Sequence, residues 1–207
     1  MTHFACADDE PEAPTYRQFE RFMAVLGDIS ARGLSPEIRH VCNSAAIARF
    51  PATHLDMVRP GIAMYGSAGH PDFGLPGVRP DLTVASRVSG LRRLPAGASV
   101  SYGHTKTLAR DSTIAIVPVG YEDGYPANIS GQGHVLIQGR RCEVVGRVTM
   151  DTSLVDVTGL EHVRVGDEVV LLGRYGDADI SAHDIATWAN VSTYEVFCGI
   201  SKRVPRS

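Results

Sequence analysis

The hydrophobic positions of the first eighty or so residues alternate between helix-like and strand-like spacing. Between residues 15 and 32, five apolar side chains recur three or four positions apart, as on one buried helix face: Phe19, Phe22, Met23, Leu26 and Ile29. Thr15 and Gln18 have the spacing of a capping box at the start of this helix, and Gly33 suits its end. The pattern predicts an amphipathic helix over residues 15–32.

Two short strands and a second helix are predicted after it. Residues 38–42 are apolar enough for a strand, and residues 57–59 form another before Pro60-Gly61 turns the chain. Between them, Asn43-Ser44 caps a helix over residues 45–50. This alternation is typical of parallel sheets covered by helices. A (β/α)8 barrel needs about 250 residues, so residues 1–80 supply only two or three of its units and leave strand edges unpaired.

From about residue 81 the pattern changes to short alternating strands. They are predicted over residues 82–88, 113–117, 134–137, 143–145 and 168–172. Glycines separate them at intervals typical of a small barrel: Gly97, Gly131, Gly139, Gly146, Gly166 and Gly173. One amphipathic helix, Ser181 to Asn190, precedes a last strand. We therefore predict an α/β domain over residues 1–80 and an all-β domain over residues 81–207.

Composition excludes several classes of function. A net charge of −3, with no basic run longer than Arg140-Arg141, argues against nucleic-acid binding. No stretch approaches eighteen consecutive apolar residues, so no membrane span is predicted. The four cysteines lie far apart without a C-x-x-C pair, which favours reduced thiols in a cytoplasmic protein. The eight histidines lack metal-ligand spacing, so no metal site is expected, and the first ten residues do not resemble a secretory signal.

Eight short motifs occur in order along the chain. They are Thr2-His-Phe-Ala, Asn43-Ser-Ala, Val58-Arg-Pro-Gly-Ile, Val100-Ser-Tyr-Gly, Val119-Gly-Tyr-Glu-Asp-Gly-Tyr, Val145-Gly-Arg-Val-Thr-Met-Asp, Tyr194-Glu-Val and Arg203-Val-Pro-Arg. In order and spacing the chain resembles the alanine racemase family, and it corresponds to a little more than the second half of a full-length member. The resemblance implies the C-terminal units of a (β/α)8 barrel followed by a β-barrel-like domain. It also implies a cytoplasmic homodimer whose active sites are shared between subunits.

The resemblance further implies residues that bind pyridoxal 5'-phosphate. Ser44, Gly61, Ile62 and Tyr194 would bind the phosphate, and Arg59 would face the pyridine nitrogen. Ser44 follows a predicted strand and opens a predicted helix, where free amides favour an anion. Without the resemblance, Ser44 would be interpreted as an ordinary helix N-cap and Gly61 as an ordinary turn. Tyr194 would be interpreted as a buried aromatic residue and Arg59 as part of a surface ion pair.

The same resemblance implies the residues that meet the substrate. Tyr102 would transfer a proton on one face, in a positive neighbourhood formed by Arg59 and by His3 of the other subunit. Met150, Asp151 and Tyr121 would bind the amino acid. Without the resemblance, Tyr102 would be interpreted as a half-buried aromatic residue of a strand and His3 as a structural histidine. Met150 would be interpreted as a residue that fills the core. The substrate entrance would be lined by Asp8 and Arg147, while Ala127 stands where some family members carry an arginine.

One group that the family needs is absent. The lysine that would hold the cofactor as a Schiff base and act on the opposite face lies upstream of the matching region. Lys106 and Lys202 are the only lysines here, and neither stands in the family position. We therefore expect a piece of a longer protein that is inactive alone. A non-catalytic remnant or partner-binding β-domain is the alternative, and a basic-amino-acid decarboxylase is disfavoured because Arg59 replaces the acidic residue expected at the ring nitrogen.

Overall fold

The structure is a computed structural model that describes residues 1–67 and 76–206. The chain divides into two compact units, Met1–Asp81 and Leu82–Ser207, called unit 1 and unit 2 below. Within the described residues, no helix is long and apolar enough to cross a bilayer, and no cluster of His, Cys, Asp and Glu could hold a metal ion.

The first helix of unit 1 begins earlier than its sequence signals indicate. Helix α1 spans Ala13–Ala31 and has a proline in its first turn, where the missing N–H costs nothing. The predicted capping box is wrong, because Thr15 and Gln18 lie inside the helix. Their side chains bind the preceding segment instead, and Thr15 Oγ1 donates to the carbonyl of Cys6 at 3.2 Å.

The second helix of unit 1 is confirmed, and the two strands beside it are not. Helix α2 spans Ser44–Arg49, and the side chain of Asn43 caps it by accepting from the amide of Ala46. Short 3-10 helices follow at Pro51–Thr53 and Ile62–Tyr65.

The predicted strands at 38–42 and 57–59 are wrong, since no strand occurs in the described part of unit 1. The two segments share backbone bonds at only two points, Asp56 N to Arg39 O and Arg59 N to Cys42 O. These points are three residues apart, whereas a strand ladder repeats every second residue. In the described parts of residues 1–80, namely 1–67 and 76–80, the predicted (β/α)8 units therefore appear as helices and turns without a sheet.

Unit 2 is a set of antiparallel sheets. Its strands are β1 (Val84–Arg87), β2 (Gly90–Leu94), β3 (Ser99–Val100), β4 (Lys106–Thr107), β5 (Ser112–Val117), β6 (His134–Ile137), β7 (Arg140–Glu143), β8 (Ser153–Asp156), β9 (Glu168–Tyr175) and β10 (Ala178–Ile180). One sheet has the order β1-β9-β6-β7, with β10 also paired to β9. The others are β2-β5-β8 and the pair β3-β4. Every predicted strand of unit 2 is confirmed except 143–145, because β7 ends at Glu143.

Two corners connect the larger sheets. Val144 makes an isolated bridge with Val155 of β8, and Ser89 N bonds to Ile116 O where β1 leads into β2. Among the described strands no ladder closes into a complete barrel. The inward positions of both sheets form one buried core, which includes Val117, Leu136, Val155, Leu171 and Ile180.

Two helices end unit 2. Helix α3 spans Ala182–Ala189 with Ser181 as N-cap and Asn190 as C-cap, which confirms the predicted helix. The last strand predicted after it is wrong, because helix α4 spans Thr193–Gly199. Ser192 and Glu195 form a capping box that satisfies its first amides, so the segment is helical. Short 3-10 turns at Tyr102–His104, Tyr121–Asp123 and Ala127–Ile129 present polar groups between the strands.

Candidate active site

Three residues predicted to bind the phosphate lie together in unit 1. Ser44 is the first residue of α2, and its side chain is buried. Its hydroxyl oxygen accepts from the amides of Gly61 at 2.9 Å and Ala63 at 3.2 Å, one on each side of Ile62. Both bonds use the lone pairs of the oxygen, so the hydroxyl proton is left to donate to an acceptor such as a phosphate oxygen.

Arg59 lies at the centre of a group of acceptors. Its NH2 nitrogen donates to the carbonyls of Thr2 at 3.1 Å and Val41 at 3.2 Å, and it meets Nδ1 of His3 at 3.2 Å. The other terminal nitrogen meets Nδ1 of His40. The ordinary surface ion pair considered for Arg59 therefore does not describe it.

His40 is a residue of this group that sequence reasoning missed. Burial of its ring, and next the charge of Arg59, lower the pKa of His40. A neutral His40 accepts a hydrogen bond from Arg59, whereas a protonated one would repel it. The sequence signal that could have identified His40 is its position inside a predicted barrel strand, three residues before Asn43-Ser44.

Gln18 holds the segment that carries His3. Its side-chain amide donates to the carbonyl of His3 at 2.7 Å and to Thr2 Oγ1 at 3.0 Å, and its oxygen accepts from Ala5 N at 3.1 Å. The exposed His3 is therefore fixed through its backbone by α1. In the sequence, the spacing of Gln18 from Thr15 predicts a capping box and gives no sign of this role.

Tyr102 stands on a strained turn of unit 2. Its side chain is 72% exposed on the Tyr102–His104 turn, between β3 and β4. Ser101 before it has φ 62° and ψ 179°, a conformation almost reserved for glycine. Ser101 Oγ donates to the carbonyl of Arg147 at 2.7 Å, which anchors the turn on the neighbouring loop. Tyr102 is thus presented to solvent, and the alternative of a half-buried strand aromatic is wrong.

The residues predicted to bind the amino acid lie on two adjoining segments. The amide of Tyr121 donates to Thr149 O at 3.0 Å, and that of Glu122 donates to Met150 O at 3.1 Å. Met150 is 50% exposed and Tyr121 is 46% exposed, so Met150 is not core filler. Asp151 follows directly, and its carboxylate binds Arg203.

The remaining predicted residues are distributed over both units. Tyr194 lies in the first turn of α4 and is 42% exposed, so it is not a buried aromatic. Arg147, an entrance candidate, is exposed beside the Tyr102 turn, and its guanidinium lies near Gly103. Asp8, the other entrance candidate, is half-buried in unit 1. Lys106 forms an ion pair with Glu143 at 2.7 Å in unit 2.

Two family models match the chain. The model for "Alanine racemase, N-terminal domain" matches residues 1–69, and that for "Alanine racemase, C-terminal domain" matches residues 82–207. The chain belongs to the alanine racemase family. This confirms the resemblance carried by the eight motifs, and with it the family's fold of a barrel domain and a β-domain.

Individual alanine racemases agree with this assignment. The alanine racemase of Symbiobacterium thermophilum is 49% identical over 207 residues, and that of Halothermothrix orenii is 47% identical. The chain is covered completely in both comparisons and spans 55% of each relative.

Solved structures give the same result. The alanine racemase of D-cycloserine-producing Streptomyces lavendulae has a TM-score of 0.93 at 39% identity, with 99% of this chain and 54% of that one covered. The enzyme of Bacillus anthracis with bound L-Ala-P has a TM-score of 0.91 at 35% identity, with 99% and 53% covered.

The alanine racemase family uses pyridoxal phosphate, and the residues present fit that group. Ser44 offers a hydroxyl proton at the start of a helix, where an anion is favoured. In Arg59 the described contacts fall on the two terminal nitrogens, so Nε–H remains to meet a ring nitrogen. Both lysines of the sequence, Lys106 and Lys202, lie in unit 2.

Proposed function

We propose that this chain supplies the cofactor-phosphate site and the tyrosine face of an alanine racemase that interconverts L- and D-alanine. The observation that carries the proposal is the position of Arg59, whose terminal nitrogens contact both His3 and His40. It lies in unit 1 with Ser44, the residue proposed for the phosphate. Pyridoxal phosphate, when bound, supplies an electron sink that acidifies the α-proton of the amino acid.

Arg59 adjusts how strong that sink becomes. A guanidinium cannot accept a proton and does not readily release one, so a ring nitrogen facing it stays largely unprotonated. Facing Arg59, the cofactor would be a weaker electron sink and would leave the negative charge near the α-carbon, which suits racemisation. An acidic residue in this place would protonate the ring and favour other reactions, such as decarboxylation.

Tyr102 is proposed to move the proton on one face of the amino acid. Its phenol stands out from the Tyr102–His104 turn, and the hydrogen bond from Ser101 Oγ to Arg147 O holds the strained turn there. Arg59, with His3 against it in the same chain, is proposed to form the cationic neighbourhood that favours the phenolate, and both would be contributed by the partner of a homodimer. Met150, Asp151 and Tyr121 are proposed to bind the amino acid, and Gly61, Ile62 and Tyr194 to complete the phosphate site.

The opposite face needs a lysine from outside the 207 residues. Lys106 is engaged by Glu143 in unit 2, and Lys202 is exposed near the C-terminus. We assign neither of them to the cofactor. The proposal therefore concerns the protein completed by the upstream part that its relatives possess.

The test joins this chain to the upstream part of the Symbiobacterium thermophilum alanine racemase, the relative with 49% identity. With added pyridoxal phosphate, the joined protein is expected to convert L-alanine to D-alanine, as followed by chiral chromatography. The matched control carries Arg59→Glu, which is expected to lose racemisation while the phosphate site stays in place. A joined protein that binds the cofactor but leaves alanine unchanged, or releases carbon dioxide from basic amino acids, contradicts the proposal.

A further inference from the structure

Three segments of unit 2 meet at one arginine near the C-terminus. Arg203 Nε lies 3.0 Å from Asp123 Oδ1, and its NH2 lies 2.7 Å from Asp151 Oδ1. Asp123 ends the 3-10 turn that contains Tyr121, and Asp151 follows Met150. A single guanidinium therefore connects the two segments that carry the proposed substrate residues.

The turn that contains Tyr121 and the loop that contains Met150 already share backbone hydrogen bonds. Arg203 adds an ion pair to each of these two segments. The other oxygen of Asp123, Oδ2, accepts from the amide of Gly120 at 2.9 Å. Its backbone carbonyl accepts from Ser201 N at 3.1 Å, which brings the tail against the turn. Asp123 thus uses one carboxylate oxygen within its own turn and the other for the tail.

The guanidinium of Arg203 neutralises a group of neighbouring carboxylates. The hydrogen bond with Asp151, and then the charges of Asp123, Asp151 and Glu122, raise the pKa of Arg203. Without a cation, these carboxylates would repel each other across the junction of turn and loop. An arginine suits the position better than a lysine, because its planar fork donates in two directions at once.

We propose that Arg203 is a positioning residue that sets the distance between the Tyr121 turn and the Met150–Asp151 loop. It touches neither substrate nor cofactor. It acts through Asp123 and Asp151 on the two surfaces proposed to bind the amino acid. The proposal deepens the function proposed above and rests on it for the role of Tyr121 and Met150.

The first experiment measures amide hydrogen exchange in the 207-residue chain. Arg203→Met removes the charge and keeps the stem, Arg203→Lys keeps the charge without the fork, and Arg92→Met is the matched control. Arg92 is an exposed arginine of β2 that bonds only to the neighbouring carbonyl of Leu91 among the contacts described. Arg203→Met should speed exchange of the Tyr121 and Glu122 amides about three- to tenfold, the size expected for one or two exposed ion pairs.

The outcomes of this experiment separate positioning from general stability. Unchanged exchange at Tyr121 and Glu122 overturns the proposal. An equal acceleration at Val170 in the centre of β9 also overturns it, because Arg203 would then support the whole unit. Partial recovery in Arg203→Lys, with the Arg92→Met chain unaffected, supports it.

The second experiment uses the joined protein described above and alanine as substrate. In Arg203→Met the KM for L-alanine should rise about tenfold with kcat little changed, less than the roughly 100-fold that a displacement of about 1 Å costs at a reacting centre. A fall in kcat at constant KM overturns the positioning role. If the unsubstituted joined protein has no racemase activity, the proposed function fails, and with it the proposed effect of Arg203 on substrate binding. The exchange result still decides whether Arg203 holds the Tyr121 turn to the Met150–Asp151 loop.

Discussion

At the scale of single residues, Tyr102 has an exposure and a backbone environment that do not favour the stability of the fold. A tyrosine is normally at least half-buried, but this one is 72% exposed. The turn that presents it includes Ser101, Gly103 and His104, all of which have positive φ. At residues other than glycine, such as Ser101 and His104, backbone strain of this kind costs roughly 1–3 kcal/mol each and persists where other contacts enforce it. The bond from Ser101 Oγ to Arg147 O is such a contact.

Tyr102→Phe is expected to leave cofactor binding nearly intact in the joined protein and to lower racemisation by roughly 10²–10⁴-fold, the usual contribution of a general acid–base group. The loss should be unequal. Release of the α-deuterium should nearly stop for L-alanine, the enantiomer that the family resemblance implies for the tyrosine face, and should partly survive for D-alanine. Deuterium washout from each enantiomer measures this, and cofactor absorbance is the control. Equal slowing of both would make Tyr102 a positioning residue.

The titration of His40 is also expected to depend on Arg59. The lowered pKa means that the unfolded chain takes up a proton at His40 more readily than the folded chain. This group therefore contributes stability above its ordinary pKa of about 6.5, and the contribution is lost as the pH falls through that value toward the folded pKa.

The ring proton of His40, followed by NMR between pH 4 and 8, measures the effect. Arg59→Gln should move the His40 midpoint upward. Arg39→Gln is the matched control, because Arg39 adjoins His40 in sequence but is bonded to Asp56. An unchanged midpoint in Arg59→Gln would contradict the assignment.

At the scale of elements, close backbone contacts hold the proposed substrate segments together. Gly120 lies so near the Met150 loop that an added Cβ would stand 2.1 Å from Thr149 O and 2.3 Å from Met150 O. The same turn meets the end of α4, where a Cβ at Gly124 would stand 2.2 Å from Gly199 O. Three separate elements therefore pack backbone against backbone, and their spacing leaves no room for side chains.

Gly120→Ala is expected to lower the free energy of unfolding by about 1–3 kcal/mol, the usual cost of overpacking. Backbone carbonyls are what the new methyl group would meet, and they cannot move aside as a side-chain end can. Gly199→Ala is the matched control, because its Cβ would meet Gly124 O at an ordinary 3.8 Å. Urea denaturation followed by the fluorescence of Trp188, which lies in unit 2, measures both. Equal midpoints for the two variants would contradict the expectation.

At the scale of the whole molecule, the two units differ in how well they are packed. Helix α1 has 19 residues, and Thr15 is the residue of this helix that is buried. Its apolar side chains Met23 and Val25 are exposed. Unit 1 encloses a small core that includes Phe4, Val41 and Phe50, whereas unit 2 encloses a larger core drawn from both of its larger sheets.

Hydrogen exchange of the isolated chain should therefore be early in residues 1–80 and slow in the strands of unit 2. Amides near the centre of β5, β6 and β9 are expected to be the slowest. Mass spectrometry of peptides along the chain measures the difference. Equal protection in both units would show that unit 1 is completed by something else, such as another copy of the chain.

The isolated chain is also expected to show no racemase activity with added pyridoxal phosphate. Neither Lys106 nor Lys202 lies in unit 1, where the proposed phosphate residue Ser44 is found. Incubation with L-alanine followed by chiral chromatography is the measurement. The joined protein serves as the positive control. Sustained formation of D-alanine by the chain alone would contradict the assignment of the second face to an absent lysine.

The sequence alone determined those elements whose signals are local. Four strands of unit 2, β1, β5, β6 and β9, follow from alternation of apolar and polar positions, and α2 and α3 follow from caps adjoining the helix itself. The family followed from eight ordered motifs. The same local rules predicted α1, although its start was misplaced because Pro14 permits an earlier beginning than Thr15. The capping box of Ser192 and Glu195 is also a local signal, and it indicates helix α4 where a last strand is predicted.

The tertiary structure decided whatever depends on partners that are distant in sequence. Residues 38–42 have the composition of a strand, yet a strand exists only when a neighbour completes its ladder of hydrogen bonds. Gln18 binds Thr2, and Arg203 binds Asp123, across separations that no periodicity records. His40 is recognisable as part of the site only from its contact with Arg59, nineteen residues away in sequence. Local spacing encodes which face of an element is buried, whereas the partners of a polar side chain are fixed only by the folding of the whole chain.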